Sequence, residues 1–80
     1  MKNKTKHGYS LKERFGIQLR HLRRKRDYTQ EELAESIGVS VEFISNMERG
    51  INAPSFATLE KLSEKLRIGI KDLFDFEETS

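Results

Sequence analysis

Between Thr29 and Gly50 three local signals stand at fixed offsets, and together they leave the backbone little freedom. Thr29 followed by Glu32 is a capping box, in which each side chain satisfies a backbone N–H of the other residue at the start of a helix. Gly38 follows Ile37, the last apolar residue of that helix, at the point where a sharply turning chain needs a positive φ and no Cβ. Ser40 then offers a second N-cap only two residues later. Two short helices, Gln30 to Ile37 and Val41 to about Arg49, must therefore meet across a tight turn. Ala34, one turn before Gly38, is small enough for another helix to cross closely, and Val39 is an apolar plug in the turn.

The two helices carry different faces. Leu33, Ala34 and Ile37 make the buried side of the first, while Glu31, Glu32 and Glu35 form a solvated acidic side near its positive N-terminus. On the second, at about 100° per residue, Val41, Glu42, Ser45, Asn46 and Arg49 share one arc. Ile44 and Met47 take the opposite side, with Glu48 on the border and Phe43 on a packing flank. The polar arc is free for a ligand. This is the pattern of a helix-turn-helix.

The flanks extend an all-α chain. Leu11 to about Arg26 forms a first helix on the stripe Phe15, Leu19 and Leu22, with Ser10 as its N-cap. Pro54 and Ser55 announce a fourth helix reaching about Leu66 on Phe56, Leu59, Leu62 and Leu66. A short fifth spans about Lys71 to Phe74, led in by Ile68 and Ile70. Residues 1–10 are expected to be a flexible basic arm, 11–75 the domain, and 76–80 an acidic tail.

Charge is divided along the chain. The net charge is +2, but ten Lys or Arg against one acid, Glu13, precede Asp27, and five against twelve follow from there on. One face can then meet a polyanion while another stays acidic, although a solvated basic helix with a tail would show the same division. There is no cysteine for a disulfide or a thiolate metal site. His7 and His21 lack a partner at metal spacing, and no cofactor is called for. No apolar run approaches the roughly 18 residues that span a membrane, so the expectation is a cytoplasmic protein with no membrane contact. Nothing near the acidic side chains supplies a nucleophile or a phosphate cradle, and an enzyme is not expected.

The stretch TQEELAESIGVSVEFISNMERG, preceded by LRHLRRKRDY and followed by PSFATLEKLSEKL and IKDLF, resembles the lambda-repressor and Cro-like DNA-binding domains, the XRE type. The likeness covers about Phe15 to Phe74. It implies a five-helix lambda-repressor-like domain whose third helix lies in the major groove of double-stranded DNA, with a homodimer on two half-sites of an inverted repeat. Carried over position by position, it makes Val41, Glu42, Ser45 and Asn46 the base-edge contacts. Asn46 suits adenine, Glu42 the N4 of cytosine and Val41 a thymine methyl. Gln30, Ser40, Arg49, Asn52 and Ser55 become phosphate contacts.

The same resemblance pairs Arg23 with Glu48 as a structural ion pair and removes Arg23 from the DNA contacts. Phe56, Ile68, Ile70, Phe74 and Phe76 are the candidates for the dimer interface, though each could instead close the core. The chain is similar in size to small stand-alone regulators, among them restriction-modification controller proteins and some antitoxins. Repressor and activator are not distinguished, and in an activator Glu35 or the C-terminal acids would be the groups to meet RNA polymerase. The alternative function is an antitoxin-like protein-interaction module that keeps the fold without reading sequence.

Overall fold

The computed structural model describes residues 8–76. Residues 1–7 and 77–80, which hold most of the expected basic arm with His7 and most of the acidic tail, lie outside the described residues. Four α-helices run in order as α1 (Leu11–Lys25), α2 (Gln30–Ile37), α3 (Val41–Glu48) and α4 (Phe56–Leu66), and a 3-10 helix (Ile70–Phe74) closes the chain. No strand occurs among the described residues.

Each α-helix starts where a hydroxyl can satisfy a free N–H. Ser10, Thr29, Ser40 and Ser55 accept from the backbone N–H groups of Glu13, Glu32, Phe43 and Thr58. At α1 and α2 the box closes in both directions, with Glu13 and Glu32 reaching back to the cap N–H at 2.8 and 2.9 Å. Such caps are worth about 1 kcal/mol each. The C-terminal ends are less uniform. Gly38 leaves α2 at φ 76°, and the Val39 N–H closes onto the Ala34 carbonyl at 3.0 Å. Asp27 and Arg67 also adopt positive φ, at 62° and 60°, after α1 and α4, where the sequence has no glycine to signal the reversal.

The fifth helix of the sequence reading is a 3-10 helix that begins at Ile70, one residue earlier than expected and in a different geometry. The reason is local. The Asp72 carboxylate accepts the Gly69 N–H at 2.9 Å, and only five residues separate Gly69 from Asp75. A stretch that short holds one tight turn and little more.

One apolar cluster ties the elements together: Phe15, Leu19 and Leu22 from α1, Leu33, Ala34 and Ile37 from α2, Ile44 and Met47 from α3, Leu59, Leu62 and Leu66 from α4, and Leu73. Val39, Tyr28, Phe43 and Ile68 pack on its margin. Buried Gln18 pins the closing turn to α1, its Nε2 donating to the carbonyls of Asp72 and Asp75 at 2.8 and 2.9 Å. Gly16 sets how closely α1 and α3 approach. A Cβ built there would lie 2.3 Å from the Met47 carbonyl oxygen and 2.7 Å from that of Glu48, so no side chain fits. The end of α3 thus rests directly on the backbone of α1.

Candidate nucleic-acid interface

With Ile44, Met47 and Glu48 turned inward, α3 presents the opposite face. Val41, 40% exposed, and Glu42 are open, and Ser45 and Asn46 are half-buried. All four residues expected to touch base edges therefore lie on one accessible side of a single helix. Phe43 packs against the core margin. Hydrogen-bonding groups at the rim of such a helix can reach base edges only if the helix is held at a fixed angle, and its two ends show how that is done.

At the C-terminal end, Arg23 of α1 grips Glu48 with both arms. Nε donates to Oε2 at 2.6 Å and Nη2 to Oε1 at 3.0 Å, with both residues buried. The third guanidinium nitrogen, Nη1, donates to the Tyr28 carbonyl at 2.9 Å, which fixes the α1–α2 connection as well. Planar, bidentate pairing is what distinguishes Arg from Lys at a site of this kind. Gln30, the first residue of α2, joins the same group by donating its Nε2 to Glu48 Oε1 at 2.9 Å. The sequence reading gave Gln30 a phosphate and nothing else. Its hydrogen bond to Glu48, 18 residues along the chain, carried no local signal.

The remaining phosphate candidates surround this helix. Ser40 is exposed, and its Oγ accepts the Phe43 N–H at 3.0 Å, which leaves its own hydrogen to donate. Arg49 follows Glu48 directly and is exposed. Asn52, half-buried, lies in a loop folded back on α3, where the Ile51 and Asn52 N–H groups both donate to the Asn46 carbonyl, at 2.8 and 3.3 Å. Ser55 is exposed, and its hydroxyl is shared between the Thr58 N–H and the Thr58 hydroxyl, at 3.1 Å each. Lys12 is a cation that the sequence reading missed. Its Nζ donates to the Ile51 carbonyl at 3.2 Å, which sets a positive charge from α1 beside this loop. Nothing short of the fold brings residues 12 and 51 together.

The five apolar residues expected at a dimer interface divide into two groups. Phe56 is 86% exposed at the start of α4, and Ile70 is open. Phe74 is also exposed on one side but packs on Phe15, with ring centroids 5.4 Å apart, and Phe76 meets it edge-on at 6.2 Å. Arg14 caps Phe76 from 4.5 Å, and Ile68 lies on the core margin.

A family profile described as Helix-turn-helix matches residues 19–73, the span from the middle of α1 to the closing turn. The chain belongs to the Helix-turn-helix family. Among its relatives is the control protein C.BamHI of Bacillus amyloliquefaciens, 38% identical over 63 residues that make up 78% of each chain. The cryptic phage CTXphi transcriptional repressor RstR of Vibrio cholerae is 36% identical over 82% of this chain and 60% of its own length. Coverage of other curated relatives runs from 40% to 86% of their lengths. In three dimensions the chain is similar to the restriction-modification controller protein C.AhdI of Aeromonas hydrophila, with TM-score 0.74 and 34% identity over 78% of this chain and 94% of that one. These relatives are regulators rather than enzymes. No helix among the described residues is long and apolar enough to cross a membrane.

Proposed function

We propose that the protein is a cytoplasmic, sequence-specific regulator of transcription that binds double-stranded DNA as a homodimer on an inverted repeat, with α3 in the major groove. The observation that carries this reading is the division of α3: Ile44, Met47 and Glu48 are buried and immobilised, while Val41, Glu42, Ser45 and Asn46 remain accessible on its other side. A helix held so firmly from behind presents its polar groups in fixed register, which base-edge hydrogen bonding requires. The regulators and controller proteins among its relatives support the same reading.

Within this reading each residue has a chemical task. Asn46 offers a paired acceptor and donor to adenine, Glu42 an acceptor to cytosine N4, Val41 a methyl surface to thymine, and Ser45 a hydroxyl to either strand. Ser40, Arg49, Asn52 and Ser55, with Gln30, hold the sugar-phosphate backbone and set register without reading sequence. The second protomer docks through a surface drawn from Phe56, Ile68, Ile70, Phe74 and Phe76, of which Phe56, Ile70 and Phe74 are exposed and Ile68 and Phe76 half-buried. Glu35 and the C-terminal acids are the surface offered to RNA polymerase if the protein activates.

The test is selection of random duplexes at about 150 mM salt, an ionic strength that suppresses purely electrostatic binding. Enrichment of an inverted repeat is the expected result, and the spacing of its halves reports the dimer geometry. Failure to enrich any sequence, with only weak and steeply salt-dependent binding, would replace the regulator by the antitoxin-like protein-interaction module.

A further inference from the structure

We propose that Gln18 is a positioning residue for assembly: its buried amide fixes the 3-10 turn that presents Ile70, Phe74 and Phe76 to a second copy of this chain. The inference rests on the homodimer of the reading above and adds the residue that shapes its surface.

The amide works on backbone. Gln18 is 1% exposed, and its Nε2 donates to the carbonyls of Asp72 and Asp75 at 2.8 and 2.9 Å. Carbonyl oxygens only accept, so the NH₂ is the group that faces them, and both of its hydrogens are used. Residues three apart in a 3-10 winding stand one above the other, which brings two carbonyls of the turn within reach of a single nitrogen. Those carbonyls belong to the peptide groups that lead into Leu73 and into Phe76. Leu73, fully buried, anchors the turn at one point, and a turn held at one point can still rotate about it. The two bonds from Gln18 remove that freedom.

What they orient is apolar and faces outward. Ile70 is 44% and Phe74 37% exposed, and Phe76 is half-buried. Phe74 leans on Phe15, Phe76 on Phe74, and Arg14 lies over Phe76, so a shift of the turn moves the whole aromatic row. Beside the turn lies a cavity of about 200 Å³ bounded by Gln18, Leu22, Lys25, Ile68, Asp72 and Asp75, and the hydrogen bonds of Gln18 hold the turn next to it. The amide is not the most stable way to fill its place. Its Oε1 is buried and meets no donor among the described residues, an arrangement that costs stability. A methionine of the same length would fill the space without that cost, but would leave both carbonyls free. The contribution of the amide is a turn of fixed orientation, and a surface ordered beforehand associates more tightly.

Gln18→Met in the full chain separates fold from assembly. Sedimentation equilibrium should show the dimer dissociation constant raised about ten-fold, the scale of re-ordering one or two side chains at an interface. Thermal unfolding at a concentration where the chain is monomeric should stay close to the parent. Binding to a duplex with a single half-site, which needs one protomer, should be unchanged, because Gln18 does not touch α3. A measurement on the parent needs no variant: in side-chain amide NMR of the monomer, both Gln18 hydrogens should be shifted and slow to exchange. Gln18 hydrogens that exchange as freely as those of an exposed amide overturn the proposal. So does a Gln18→Met protein that dimerises as the parent does, or that loses half-site binding in step with dimerisation; each of these leaves the regulator reading standing. A parent chain that stays monomeric at high micromolar concentration removes the homodimer and this inference with it.

Discussion

Replacing Gly16 by Ala provides a test of sign. At an unobstructed site inside a helix this change stabilises by about 1 kcal/mol, because Ala has the better helix propensity. At Gly16 the new Cβ would stand 2.3 Å from the Met47 carbonyl oxygen and 2.7 Å from that of Glu48, both of them backbone atoms that cannot rotate away. Ordinary contact between such atoms begins at roughly 3.3 Å, so the end of α3 must retreat by about 1 Å. A gap of that size forfeits a quarter to a half of each dispersion contact across it, and buried Met47 and Ile44 line it. Overpacking of this kind costs about 1 to 3 kcal/mol, and with backbone on both sides we place Gly16 at the upper end. Setting the propensity gain against it leaves a net loss of about 2 kcal/mol, or a fall in Tm of about 8 to 16 °C for a domain this small. Urea and thermal unfolding followed by circular dichroism, at one fixed protein concentration so that dimerisation does not enter, will measure it. A variant as stable as the parent, or more so, would refute the close approach of α1 and α3.

Three further outcomes follow from the same contacts. Arg23→Ala strands the Glu48 carboxylate in the interior and should cost about 3 to 5 kcal/mol of unfolding free energy; a loss below about 1 kcal/mol would place the pair among surface bridges of little consequence. Arg67→Gly relieves a left-handed residue while adding freedom to the unfolded chain, so a small net gain of about 0.5 kcal/mol in urea is expected, and a clear loss would mean that the Arg67 side chain does more than close α4. Asn46→Ala should relax preference at one base position, with about 1 to 3 kcal/mol lost there, while Arg49→Ala weakens all sequences alike. Equal loss on every duplex from both variants would contradict the division of labour along α3.

Legibility from the sequence depended on how far apart the determining residues are. Thr29 and Glu32, Ser40, and Gly38 act within one turn of themselves, and the bounds of α2 follow from them directly. The core stripes of α1 and α4 were legible for a related reason, since periodicity is a local property, except that Phe56, placed first in the α4 stripe, stands outside the core. The ends of α1 and α4 were placed to within a residue, although Asp27 and Arg67 take positive φ without being glycine and so give no usual sign of a reversal. Where the form of an element depends on something else, the reading slipped. The closing turn winds as a 3-10 helix because Gly69 and Asp72 cap it and Gln18 holds its carbonyls from α1. Gly16, within a helical pattern, had no visible purpose until Met47 and Glu48 were placed against it.

The functional face divides along the same line, and the division bears on how such an interface is built. Which side of α3 is free could be worked out from its own angles, because burial of Ile44 and Met47 leaves the rest outside. What fixes the angle of α3 could not, beyond the Arg23–Glu48 pair that the family resemblance implied. Arg23, Tyr28, Gln30 and Glu48 come from three helices and a connection, and their hydrogen bonds exist only once those helices have met. Lys12 reaches the loop after α3 in the same way. Residues that would read DNA are thus specified by one short helix, whereas the residues that aim them are specified by the whole fold. It follows that a change in Val41, Glu42, Ser45 or Asn46 is expected to alter which sequence is bound and leave stability nearly untouched, since all four lie outside the buried core. A change in Gly16, Arg23 or Glu48 is expected to alter stability first, and sequence preference only through the tilt of α3.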